Sequence, residues 1–201
     1  MKKISLTILT IVIGFASIAQ DVVNGYGIPF VTNYDSEKIN GGEQTWAGVQ
    51  DKRGILYFAN QNGVVEYDGH YWNLISTIGG NVDYVSVDEK GVVHVGLDGD
   101  FGYLFPNDVG TLEYVSLKNR VPDTLQFGRV GKIYTINGKT YYCSNECIFV
   151  EKNDSVEVVQ LPFDDVFFSY AVGDSIVISR HSGNVNVLYD GKLNEIESKI
   201  I

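Results

Sequence analysis

Apolar and polar positions alternate over short stretches, and polar turns interrupt them at regular intervals along the chain. Four strongly apolar segments stand out: ILYFA from Ile55, VVHVG from Val92, TYYCS from Thr140 and IVIS from Ile176. A polar turn precedes each: DKRG, DEKG, INGK and VGDS. A second turn follows each, and then another strand: VVEYD, YLF, CIFV and VNVLY. Period-two alternation bounded by Gly, Asp, Asn and Ser is the pattern of half-buried β-strands and hairpins. Helical periodicity is absent, apart from a weak candidate from Leu193 to Ile201.

The whole phrase repeats four times, over 46–68, 84–105, 130–150 and 170–189. Three second turns close on glycine, at Gly63, Gly102 and Gly183, and glycine suits a tight hairpin that needs a positive φ. Cys147 holds that place in the third repeat, which implies a different turn there. Less regular segments, HYWNLIST at 70–77 and SVEVVQL at 155–161, supply a further strand. Four antiparallel strands per repeat of about 40 residues predict all-β architecture built of β-propeller blades. A lone blade cannot cover both of its faces, and stacked blades cover one another. A β-sandwich has turns at similar intervals, but it does not require one phrase to recur in register. The four units read as part of a larger propeller, because four-bladed rings are rare.

The first residues follow another pattern. MKKIS is a short basic start, LTILTIVIGFASIA is an apolar run, and Ser17-Ile18-Ala19 offers small residues for a peptidase. The run is about 14 residues, against the roughly 20 that a bilayer span needs. Residues 1–19 are therefore expected to be a secretory signal peptide, 20–45 an extension leading into the first blade, and 46–201 the blades. Export would remove Lys2 and Lys3, leaving 13 basic against 25 acidic residues. So acidic a chain repels phosphate backbones, which excludes nucleic acid as a direct partner.

GYGIPFVTNYDSEKINGGEQTWAGVQDKRGILYFANQNGVVEYDGHYWNLI, followed by VHVGLDGDFGYL, resembles the start of the two-component regulator propeller family. The resemblance covers residues 26 to about 105. It implies an extracytoplasmic sensor propeller, on the periplasmic or surface side of a membrane. In that family further blades, a triple-tyrosine domain, a membrane helix and a cytoplasmic output complete the protein. The function implied is ligand sensing or scaffolding, with any kinase or other output outside this chain. The partners implied are the remaining blades and membrane-linked signalling domains, together with a small-molecule, glycan or peptide ligand.

Candidate chemistry is sparse. Asp100-Phe101-Gly102 spells the magnesium-binding triplet of a kinase, but the accompanying Gly-rich loop, lysine and catalytic loop are missing. Asp98 and Asp100 offer too few oxygens for calcium, which takes six to eight. No metal or cofactor is expected. Cys143 and Cys147 flank the turn Ser144-Asn145-Glu146, and in an oxidising compartment a disulfide between them is left open. Among the histidines, His94 lies in an apolar strand, His70 beside Tyr71, and His181 in the polar turn Arg180-His181-Ser182. Trp46, Tyr84 and Tyr170 fall near the first strand of their units, where they would line a channel or pack between blades. The second turns would share one rim, and Asn60, Gln61, Asp98, Asp100, Phe101, Arg180 and His181 are the ligand candidates on it. A secreted propeller lyase or glycoside hydrolase, with Asp98 and Asp100 as its carboxylates, is the competing enzymatic reading. A free-standing adhesion protein is a third.

Overall fold

Among the described residues, sixteen strands form four separate four-stranded antiparallel sheets, each in simple sequential order. The structure is a computed structural model and describes residues 31–196. The expected signal peptide lies outside the described residues. Blade 1 holds β1 (Thr45–Gln50), β2 (Leu56–Asn60), β3 (Gly63–Tyr67) and β4 (Trp72–Ile75). Blade 2 holds β5 (Val82–Val87), β6 (Val93–Leu97), β7 (Phe101–Pro106) and β8 (Leu112–Ser116). Blade 3 holds β9 (Lys132–Ile136), β10 (Lys139–Cys143), β11 (Cys147–Lys152) and β12 (Ser155–Gln160). Blade 4 holds β13 (Val166–Val172), β14 (Ser175–Arg180), β15 (Val185–Tyr189) and β16 (Lys192–Ile196). The described part of the weak helical candidate, 193–196, lies in β16, where Leu193 pairs with Leu188 and joins the apolar cluster beneath; its remainder lies outside the described residues. The one α-helix among the described residues, α1 (Ser36–Ile39), is a single turn capped by Asp35, whose side chain accepts from Lys38 N at 2.8 Å.

Local chemistry sets the first turns. The Asp51 Oδ1 accepts from the backbone of Arg53 and Ile55 at 2.8 and 3.1 Å. Asp88 repeats this with Lys90 and Val92 at 2.9 and 2.8 Å. An aspartate that holds the amides two and four residues ahead is an Asx-type turn. Blade 3 uses Asn137-Gly138 instead, both at positive φ, the dipeptide favoured in two-residue hairpins.

Three apolar cores lie between successive blades. Tyr57, Ala59 and Val64 of blade 1 meet Val85, Val95 and Leu104 of blade 2. Phe101 and Leu117 meet Ile133, Tyr142, Cys147 and Phe149 of blade 3. Ile136, Tyr141, Cys143 and Ile148 meet Ile176, Ile178 and Leu188 of blade 4. Each sheet is therefore glued to its neighbour by burial of one face, which is how propeller blades are held. The first strands β1, β5, β9 and β13 run against one another in succession, so they form the inner side of the arc.

The outer face of blade 1 is partly covered by the segment before it. Tyr34 packs edge-on to Trp72 at 5.1 Å, and Trp72 stacks on Tyr67 at 4.1 Å. Among the described residues, no element covers the outer face of blade 4. Phe168, Tyr170 and Val172 alternate along it with 43–53% of their surface exposed.

Candidate functional site

The second turns do share one rim, and the inner strands deliver a second set of residues to it. β1, β5 and β13 each carry a bulge, at Trp46, Asp83 and Phe167. These bulged residues lie beside the ends of β2, β6 and β14, where the second turns begin. A bulge adds one residue to one strand and re-aims its side chain. Trp46 and Phe167 are consequently exposed at the rim. Tyr84 and Tyr170 sit at other register positions. Tyr84 pairs with Gly96 and lies under the Lys132 ammonium at 4.7 Å. Tyr170 pairs with Val177 on the open face of blade 4. The three aromatics are therefore not one channel lining.

Several rim candidates are structural. Asn60 is fully buried, its Oδ1 accepting from Gly42 N at 2.7 Å and Asn62 N at 3.1 Å. Its Nδ2 donates to Gly42 O and Thr45 Oγ1 at 2.9 and 3.1 Å. Gln61 beside it stays exposed. Asp100 is buried, and its Oδ1 accepts from Phe101 N and from Ser116 Oγ, both at 2.7 Å. That carboxylate shapes a turn, while Asp98 stays accessible. Phe101 points into the core between blades 2 and 3, stacked on Phe149 at 4.2 Å, and has no exposed surface. Among the described residues no three His, Cys, Asp or Glu side chains gather as a metal-binding group.

Both cysteines are free thiols, so the disulfide is not formed. Cys143 packs into the core toward blade 4, and Cys147 into the core toward blade 2. They occupy opposite faces of one sheet, and sulfurs on opposite faces cannot bridge. Burial pushes the Cys143 thiol up to about 12 and Cys147 to about 11. Neither is a nucleophile at neutral pH.

Two charged constellations occupy the rim. Between blades 2 and 3, Arg129 Nε meets Asp83 Oδ1 at 2.9 Å. Asp83 is buried, its Oδ2 has no hydrogen-bond partner, and burial raises its carboxyl above the ordinary carboxylate value. Arg129 bridges through its backbone to Asp98, and Glu146 Oε2 accepts from Gly128 N at 3.1 Å. Between blades 3 and 4, a groove of about 560 Å³ runs past Asn145, Glu146, Leu161 and Phe163. Beside it Arg180 Nε donates to Asp165 Oδ1 at 2.6 Å, and its guanidinium lies 4.3 Å over the Phe163 ring. His181 packs edge-on against Phe167 at 4.8 Å. Asp83, Arg129 and Asp165 had no sequence signal, because each partner lies on another strand or loop.

Asp165 yields a direct test. The Arg180 hydrogen bond, and then the contact with Ser182, hold its carboxyl at about 2. A depressed carboxylate stabilises the fold above the unfolded value, and that contribution disappears as pH falls from about 4 through about 2. Carboxyl ¹³C NMR is expected to place the Asp165 midpoint near 2, and Arg180→Gln should move it up toward the ordinary aspartate range. A midpoint unmoved by that substitution would contradict the pairing.

Four sequential four-stranded sheets define a β-propeller fold, and similarity to solved structures agrees. The chain is similar to the extracellular domains of two hybrid two component systems of B. thetaiotaomicron, BT3049 and BT4673. BT3049 shares 15% identity over 78% of this chain, with a TM-score of 0.58. BT4673 shares 12% over 82%, with a TM-score of 0.62. The chain spans 23% of the length of each. It is also similar to virginiamycin B lyase from Staphylococcus aureus, at 13% identity over 82% of this chain and 58% of that one, with a TM-score of 0.59. At these identities the likeness establishes the propeller fold. No family model matches the chain, and no curated protein matches it.

Proposed function

We propose that this chain is a ligand-sensing or scaffolding segment of an extracytoplasmic sensor propeller, part of a transmembrane signalling regulator. The observation that carries the reading is the shared fold with extracellular domains of two-component systems, of whose length it covers 23%. The exposed apolar face of blade 4 adds support, since Phe168, Tyr170 and Val172 offer the surface on which a further blade would stack. Binding falls to the second-turn rim, where Trp46, Asp98, Arg129 and His181 present aromatic, acidic and basic groups to a polar small molecule, glycan or peptide. A ligand acts there by binding one arrangement of the whole receptor better than another. No helix among the described residues is long and apolar enough to cross a membrane.

A lyase reading draws on the likeness to virginiamycin B lyase and on Asp83, a buried carboxylate with one free oxygen beside Arg129. Two measurements separate the readings. Reading the gene past codon 201 is expected to show further blades, a membrane helix and a cytoplasmic module, and an immediate stop would overturn the receptor. The purified chain is expected to turn over neither polysaccharide nor virginiamycin B. Turnover abolished by Asp83→Asn would establish an enzyme instead.

A further inference from the structure

On the opposite rim, a cleft of about 640 Å³ opens between blades 2 and 3, bordered by the first turns. Its floor is His94 of β6, which is 4% exposed. His94 Nδ1 lies 2.8 Å from the Tyr142 hydroxyl, and that hydroxyl donates to Gly102 O at 3.2 Å. With its one hydroxyl hydrogen on Gly102 O, the tyrosine oxygen accepts from Nδ1–H, and the site rests on this tautomer of His94. In the neutral ring Nε2 is then a bare acceptor. It has no hydrogen-bond partner, and Asp88 Oδ2 stands 3.5 Å away. Asp88 Oδ1 is already occupied by the amides of Lys90 and Val92. In that tautomer two acceptors face each other at the base of the cleft, 3.5 Å apart. A proton does not fill that role in mildly alkaline solution, because burial holds the imidazole below its ordinary value.

The walls narrow the choice of donor. Tyr103 and Phe105 stand edge to face at 6.4 Å, and Phe105 is 57% exposed. Glu151 and Asp154 lie on the blade 3 side, Asp154 already paired with Arg120 at 3.4 Å, and Asp88 and Glu89 face Lys90 on the other. An acidic, aromatic-walled cleft with unpaired acceptors at its base favours a positive ligand rich in N–H groups. A metal ion is a poor fit, since one nitrogen and one free carboxylate oxygen fall short of any ordinary coordination shell.

We propose that this cleft binds an organic cation, a primary ammonium or guanidinium on an apolar stem. Its N–H groups donate to Asp88 Oδ2 and to His94 Nε2 beneath, and its stem lies against Tyr103 and Phe105. The site is separate from the second-turn rim and does not depend on the sensor reading.

The test is a titration of the full chain, ¹⁵N-labelled at histidine, at about pH 8 with agmatine, butylammonium and butanol. His94 Nε2 is expected to start at the shift of an unprotonated nitrogen. It should move saturably with both cations and not with butanol. Asp88→Asn keeps the Oδ1 acceptor for the turn and should weaken cation binding on the order of tenfold, the loss of one charge-assisted pair. Glu151→Gln should weaken it less, and it decides the matter if the Asp88 variant fails to fold. Equal response to butanol, affinity unchanged in the variants, or a His94 signal that answers to pH alone would overturn the site.

Discussion

Phe101→Ala is expected to destabilise the protein by about 3–5 kcal/mol, the range for deleting a large buried aromatic. Phe101 has no exposed surface. It stacks on Phe149 at 4.2 Å and meets Tyr142 and Phe127 at 4.9 and 5.9 Å. Its removal would leave a ring-sized hole at the centre of the core joining blades 2 and 3. Rigid strands on both sides prevent that core from collapsing to fill the space. Small domains have about 5–15 kcal/mol of stability in all, so this one side chain supports about a fifth of it or more. Urea unfolding followed by near-ultraviolet circular dichroism measures the effect. Phe105→Ala is the control, because Phe105 is largely exposed, and its cost should stay within about 0.5 kcal/mol. Equal costs for the two substitutions would mean that Phe101 is not the centre of that core.

That expectation reverses the reading of Phe101 as a rim residue, and the reason lies in register. Turns and strand lengths are local, so DKRG, DEKG and the apolar runs after them mark the blades directly. Facing is not local. In DGDF the residue after Asp100 could belong to the turn or to the strand. Only the pairing of Phe101 with Gly96 turns the ring toward blade 3. The bulges at Trp46, Asp83 and Phe167 shift the inner strands by one residue, which moves side chains to the other face. Trp46 and Tyr84 therefore read as equivalent in the sequence and are not so in space. The charged pairs were hidden for a related reason. Asp83 meets Arg129 across blades, and Asp165 reaches Arg180 from the connection before β13. No fixed spacing announces such partners. Cys143 and Cys147 show the limit most plainly. Four residues apart at a hairpin mouth, they point into different cores.

Gly102→Ala is the second large expectation, and its cause differs from the one the repeat suggested. Gly63 and Gly183 do adopt positive φ, as a tight turn requires, but Gly102 does not. Gly102 is needed for space. A Cβ built on it would overlap the Val115 carbonyl oxygen and crowd the Tyr114 ring at 3.0 Å. The obstacle on the β8 side is backbone, which cannot swing aside as a side-chain tip can. Either β7 and β8 part, breaking the ladder from Gly102–Ser116 to Pro106–Leu112, or β7 moves and shifts Phe101 against Tyr142. Overpacking of this kind costs about 1–3 kcal/mol and sometimes more, and here the upper end is expected because both escapes disturb buried partners. Gly102 O also accepts the Tyr142 hydroxyl that orients His94. The substitution should therefore alter the cation cleft as well, while leaving the Asp165 titration on the far rim unmoved. Gly131→Ala is the matched control, since its Cβ would make only ordinary contacts at 3.8 Å with Arg129. Urea midpoints of the two variants decide the point. A Gly102→Ala protein as stable as Gly131→Ala would mean that β7 and β8 are not in close approach at this position. The tight glycine would then have no part in setting the His94–Tyr142 pair.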